Sequence, residues 1–171
     1  MILLANIIAF IGSLVMVGIG FIKERKHILL AQCAMFLILG IANLLLGGVT
    51  GFIANTVSIG RNLYSLRFDL GLPAKILFIA VQVALSAPFN TLGLIGWLPI
   101  LAAVVFTFFL SSKDERVLKV VIIFGQLLWA IYDIYIKNYS AFAFDILTMI
   151  TNAIGIWQIQ RMKKLKDVED V

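Results

Sequence analysis

"FIANTVSIGRNLYSLR", residues 52–67, is apolar enough overall to enter a membrane, yet it carries Asn55, Ser58, Arg61 and Asn62 within eight residues. A helix bathed in lipid on every side gives such groups no partner, and a polar group in hydrocarbon without a hydrogen bond is costly. The stretch therefore has to turn this polarity toward a cavity or a neighbouring helix. That requirement makes it one member of a bundle.

The rest of the chain agrees. Of 171 residues, 62% are hydrophobic and only 13% are charged, with a mean hydropathy of +1.06. Soluble domains average about 45–50% apolar and about 25% charged. The chain reads as one membrane domain, 1–171, too short to hold a soluble catalytic domain as well. Cys33 is the single cysteine and His27 the single histidine. This excludes an intramolecular disulfide and argues against a zinc-type site. No cofactor is expected. The opening run "MILLANIIAFIGSLVMVGIGFI" has no basic start and is too long for a signal-peptide core, so it reads as a retained helix.

Spans of about 20 apolar residues are expected at 2–22, 28–46, 49–66, 72–87, 91–110, 117–136 and 139–159. The fourth is the weakest, with Pro73 and Lys75 near its start. Lys75 is expected to reach for the interface. Basic residues arbitrate. Of the 14 Lys and Arg, all but Arg61 and Lys137 fall in the odd-numbered loops or in the tail "RMKKLKDVEDV". The even-numbered loops are "GGVTG", "SAPFNT" and "KNYS". Positive charge stays on the cytoplasmic side. The N-terminus is therefore placed outside and the C-terminus in the cytoplasm of a plasma-membrane protein. The charge of +5 needs no nucleic acid. It is this bias plus a tail, 161–171, suited to anionic headgroups.

A shift of 90 residues lays helices 1–3 on helices 5–7. Asn43 then meets Asp133, Asn55 meets Asp145, Ser58 meets Thr148, and Asn62 meets Asn152. The chain divides into a first three-helix repeat (1–69), a linker helix (70–90) and a second repeat (91–160). An odd-numbered unit needs one extra helix before it can repeat in the same orientation. Such parallel repeats are a transporter plan.

"RNLYSLR" at 61–67 and "NAIGIWQIQRMKK" at 152–164 resemble the bacterial inner-membrane YgjV-like family, over nearly the whole chain. The plan resembles the SWEET, SemiSWEET and PQ-loop transporters, although the second helices lack their Pro-Gln pair. The resemblance implies an all-α fold of seven transmembrane helices, two parallel three-helix bundles joined by a linker helix. It also implies a substrate path between the bundles.

On a helix, steps of 3 and 7 residues turn about 300° and 700°, so Asn55, Ser58 and Asn62 share one face. Asp145, Thr148 and Asn152 share the matching face of the last helix. Together they are the expected substrate track, with Trp129 as an aromatic platform. Arg61, off the stripe by about 100°, reads either as a snorkelling cation or as a gate or anion contact. Asp133 reads as a coupling group or as an i,i+4 ion pair with Lys137. Gln82 and Gln126 read as packing amides. Pro99 is expected to kink helix 5, and Gly12, Gly18 and Gly20 to allow close helix contacts. The expected function is a small-solute permease in the lipid bilayer working by alternating access, not an enzyme, with homo-oligomers left open. An assembly partner or lipid-binding protein whose stripe is structural glue is the alternative. A lipid enzyme using Asp133 and Asp145 ranks last.

Overall fold

The computed structural model describes residues 1–19, 21–22, 24–110, 112 and 114–169, with side chains up to 161. Gly20, Lys23, Lys113 and the side chains of the basic tail from 162 onward lie outside the described residues. Among those described are seven α-helices and no strand: α1 (Ile2–Ile19), α2 (Arg25–Leu45), α3 (Val49–Ser65), α4 (Leu72–Ser86), α5 (Trp97–Phe109), α6 (Glu115–Tyr135) and α7 (Tyr139–Glu169). The fold is all-α, as expected. Five segments are long and apolar enough to cross a membrane: Ile2–Ile19, Arg25–Leu45, Leu72–Phe89, Glu115–Tyr135 and Tyr139–Arg161. The fourth expected span is among them, lengthened by a 3₁₀ turn over Ala87–Phe89.

The fifth helix departs from expectation. It starts at Trp97, not near 91, and has 13 residues, about 20 Å of rise. Asn90 is the reason. Its Oδ1 accepts from Leu92 N at 3.1 Å and its Nδ2 donates to Gly93 O at 2.9 Å. Gly93 takes φ +59°. This local bonding holds the chain in a turn. Pro99 consequently falls in the first turn of α5. There its missing N–H has no helical partner to lose, so it starts the helix where a kink was expected.

Neighbours in sequence pack side by side: α1 on α2, α2 on α3, α5 on α6, α6 on α7. The two triplets meet along two seams, α3 against α5 and α7 against α1, which closes a ring of six helices. α4 lies outside the ring against both α3 and α5. Lys75 ties it there, donating from Nζ to Phe108 O at 2.8 Å. Helix α1 turns Leu3, Ile7, Phe10, Leu14 and Val17 outward. Their spacing of three and four residues makes one apolar face for lipid. Inward, Ala9, Ala42 and Ala141 form a core of small residues where α1, α2 and α7 pack together. Gly12 serves the same approach, since a Cβ there would lie 2.9 Å from Leu39 Cδ2. Gly18 does not, for its surroundings are open.

The two triplets share their local geometry at an offset of 90. α2 and α6 start and end 90 residues apart, as do the starts of α3 and α7. The turn after α2 carries the bonds Leu46 N to Ala42 O, Gly47 N to Leu44 O, Gly48 N to Asn43 O and Phe52 N to Gly48 O. The turn after α6 repeats each of them: Ile136 to Tyr132, Lys137 to Ile134, Asn138 to Asp133 and Phe142 to Asn138. Gly47 has φ +78° and Lys137 φ +65°. A lysine thus occupies the left-handed conformation that glycine takes in the first triplet. Its carbonyl accepts from Asn6 Nδ2 at 2.9 Å, and Asn6 Oδ1 accepts from Ser140 N at 2.9 Å. One asparagine on α1 therefore fastens the turn and start of α7, and closes the ring.

Candidate functional site

The ring encloses a cavity of about 290 Å³ lined by α1, α2, α3, α5, α6 and α7. Its wall repeats with the fold. Asn43 and Asp133, Asn55 and Asp145, Leu39 and Trp129, Phe36 and Gln126, Met35 and Gly125 all line it. Each pair lies 90 residues apart, so the cavity sits where the two triplets face each other. The chemistry is not repeated. Phe36 stands opposite in register to Gln126, and Met35 to Gly125, which makes one cavity with two different walls.

At the end with the two tight turns, polarity is sealed in. Asn138, only 1% exposed, donates from Nδ2 to Asn43 Oδ1 at 3.2 Å and to Asp133 Oδ1 at 3.4 Å. Its own Oδ1 accepts from Ala141 N at 3.4 Å, capping α7. Asp133 and Asp145, 3% and 7% exposed, sit side by side with their carboxyl groups within hydrogen-bonding reach. A hydrogen bond between two carboxyl groups needs a proton on one of them. Two buried carboxyl groups this close can share a proton. The expected Asp133–Lys137 ion pair does not form: Lys137 is turned out and exposed while Asp133 is buried.

The same cap is solved differently in the first triplet. Gly48 occupies the place of Asn138 and has no side chain. Tyr132, fully buried, reaches across from α6, and its hydroxyl accepts from Gly51 N at 3.0 Å. Gly48 and Gly51 make room for it, since a Cβ at either would collide with the tyrosine. Trp129 packs edge-on against this ring at 5.7 Å between centroids.

Toward the opposite end lies Arg61. It does not snorkel. It is 3% exposed, and Nη1 donates to Thr107 Oγ1 at 2.9 Å while Nη2 reaches Asn62 Oδ1 at 3.5 Å. Its guanidinium carbon lies 5.3 Å from the Phe106 ring centroid, a cation–π distance. No acidic side chain pairs with it among the described residues. A buried guanidinium held by a hydroxyl, an amide and a ring, beside a cavity, has the charge and the donors to receive an anionic group.

Of the residues singled out from sequence, Asn55, Ser58, Arg61, Trp129, Asp133 and Asp145 line the cavity. Asn62, Thr148 and Asn152 are not on its wall. Asn62 donates to Gln32 Oε1 at 2.9 Å. Thr148 and Asn152 turn back to carbonyls of their own helix, those of Phe144 and Thr148, at 2.8 Å each. Gln126, read as a packing amide, lines the cavity. Gln82 donates to Ser86 Oγ at 2.9 Å on the buried face of α4. Gln32, Asn138 and Phe106 complete the site without having been singled out. Gln32 sits near a helix start in a basic context, and Asn138 looks like ordinary turn chemistry. Among the described residues no three His, Cys, Asp or Glu converge as metal ligands would.

A family model described as "Bacterial inner membrane protein", Imp-YgjV, matches residues 3–163. No curated protein and no solved structure matches the chain. The match spans nearly all of the sequence, so the chain belongs to this inner-membrane protein family.

Proposed function

We propose that this member of an inner-membrane family is a small-solute permease whose substrate occupies the six-helix cavity. One observation carries the reading: a cavity of about 290 Å³ with a pair of buried carboxyl groups toward one end and, toward the other, a buried guanidinium that no acidic side chain among the described residues pairs with. Its size falls just under the range for drug-sized ligand sites, about 300–1,000 Å³, which suits a small solute. Polar packing that served only as glue would close on itself, as Thr148 and Asn152 do on α7. Here the polar groups surround space.

In this reading the substrate touches Asn55, Ser58, Trp129 and Asp145. Arg61 and Asp133 act as coupling or gating groups. Asn62, Thr148 and Asn152 stiffen the helices behind them. The seams α1–α7 and α3–α5 are the places where one triplet rocks against the other, as in transporters built from repeats. The basic loops and tail set the orientation, N-terminus outside and C-terminus in the cytoplasm. Dyad protonation supplies a means of coupling to protons.

The test is counterflow in proteoliposomes loaded in turn with sugars, amino acids, nucleosides and vitamins. The reading expects at least one class to exchange. It also expects the exchange to vanish in Gly125→Leu. Gly125 lines the cavity and a Cβ there meets nothing within 4 Å, so a leucine side chain extends into the chamber. Exchange that survives a folded Gly125→Leu protein, or no exchange in any class, overturns the reading.

A further inference from the structure

The cavity wall carries buried polar atoms that have no partner within the protein. Two are donors, Asn55 Nδ2 and Arg61 Nε; two are acceptors, Gln126 Oε1 and Asp145 Oδ2. Buried polar groups are nearly always satisfied. Four on one wall therefore define what a bound solute must offer: acceptors toward Asn55 and Arg61, donors toward Asp145 and Gln126.

Charge narrows the class. Arg61 brings one positive charge. With one proton between them, Asp133 and Asp145 bring one negative charge. The wall is neutral in sum but polarised along its length. A singly charged solute would leave one of these ends without a countercharge in a desolvated space, which is expensive. An uncharged polyol would leave both ends without a countercharge. A solute carrying one charge of each sign satisfies both.

Distance sets the scale. Asn55 and Asp145 each lie six residues past the start of their helices, and Arg61 lies six residues beyond Asn55. Six residues of helix rise about 9 Å. The Cβ of Arg61 tilts toward the start of α3, so its side chain leans back toward the dyad level and shortens that span.

We infer that the substrate class is a small zwitterion, with its carboxylate on Arg61 and its ammonium group on the Asp133–Asp145 pair. This rests on the reading of the cavity as a solute site and names the solute. The wider spacing favours ω-amino acids and their like over a compact α-amino acid whose two charges share one carbon. The Phe106 and Trp129 rings flank the aliphatic middle.

The experiment measures binding to the purified wild-type protein in detergent with one carbon skeleton and four charge patterns. The probes are γ-aminobutyrate, butyrate, n-butylamine and 4-hydroxybutyramide, with glucose as an outside control. The zwitterion is expected to bind at least tenfold tighter than any of the other three. Two variants then assign the ends. Arg61→Gln should erase the preference for γ-aminobutyrate over butylamine. Asp145→Asn should erase its preference over butyrate. These are ratios between ligands on one protein sample, so a general loss of folding does not imitate them. Arg61→Lys, which keeps the charge, should retain most of the preference.

Tighter binding of glucose, of either singly charged analogue or of the neutral amide overturns the zwitterion assignment. So does an absence of binding by every probe. Counterflow of another solute class that Gly125→Leu abolishes would leave the permease reading standing while this inference falls. Loss of counterflow in every class would remove both.

Discussion

Tyr132→Phe and Gly48→Asn, separately and together, should show that one cap is built in two ways. In the second triplet Asn138 caps Ala141 N. In the first, the Tyr132 hydroxyl caps Gly51 N because Gly48 has no side chain to do so. Tyr132→Phe strands a buried N–H, at a cost of about 1–3 kcal/mol. Gly48→Asn alone drives a Cβ into the tyrosine hydroxyl, and overpacking of that kind costs about 1–3 kcal/mol. Independent effects would sum to about 2–6 kcal/mol. They are not independent. Removing the hydroxyl opens the space that the asparagine needs, and its amide oxygen can then cap Gly51 N. The double variant should recover about 1–2 kcal/mol of the sum, within the range of measured couplings. It should stay below wild type, because the same Cβ would also lie 3.1 Å from Asn43 O and from Ile136 Cδ1. At about 2–4 °C per kcal/mol for a chain of this size, it should melt several degrees above the additive expectation. Thermal unfolding in detergent of all four proteins reads this directly. A double variant that melts at or below the sum of the two single losses refutes the reasoning.

Gly125→Ala should raise the melting temperature modestly. It removes a mid-helix glycine, worth about 0.5–1 kcal/mol, where a Cβ meets nothing within 4 Å, and it should leave solute binding nearly intact. Asn6→Ala should cost about 1–2 kcal/mol, since it deletes the bonds that join α1 to Lys137 O and Ser140 N. Faster amide hydrogen exchange at Ser140 would mark the loosened seam. Lys75→Met should change stability by less than about 1 kcal/mol, because its bond to Phe108 O is exposed and an unbonded helix-end carbonyl can find another partner. A thermal scan checks it, and a larger loss would mean that α4 holds the ring closed.

Most of the fold was legible because lipid enforces a simple rule: apolar helices long enough to span, with charges at their ends. The boundaries of α2, α3 and α6 and the start of α7 fall within a few residues of the hydropathy reading for that reason, while α7 runs on to Glu169, ten residues past its expected end. The start of α5 did not, because "NTLGLIG" is apolar enough to pass for helix while Asn90 and Gly93 hold it in a turn. The stripe of Asn55, Ser58 and Asp145 was legible from helical spacing. Periodicity alone could not say which polar residues bond within the protein. Asn62 and Asn152 look equivalent to Asn55 in sequence, yet one meets Gln32 and the other a carbonyl of its own helix. Arg61 was misplaced for a related reason. A cation near a helix end ordinarily reaches for water, and only the fold shows Thr107 and Phe106 waiting across the α3–α5 seam. Asn138 and Tyr132 were not legible at all. Their work depends on a contact between triplets that no local pattern records.

The account stands most directly on access to the cavity from both sides of the membrane. A single cysteine at Ser58, placed in a Cys33→Ala background, can be challenged with a membrane-impermeant thiol reagent in right-side-out and in inverted vesicles. A cysteine at Ile150, on an outward face of α7, serves as the lipid-facing control. The account predicts labelling at Ser58 from both sides, none at Ile150, and loss of labelling at Ser58 when Gly125→Leu fills the chamber. Labelling from one side only, or from neither, would contradict an alternating path through this cavity and return the polar wall to a structural role.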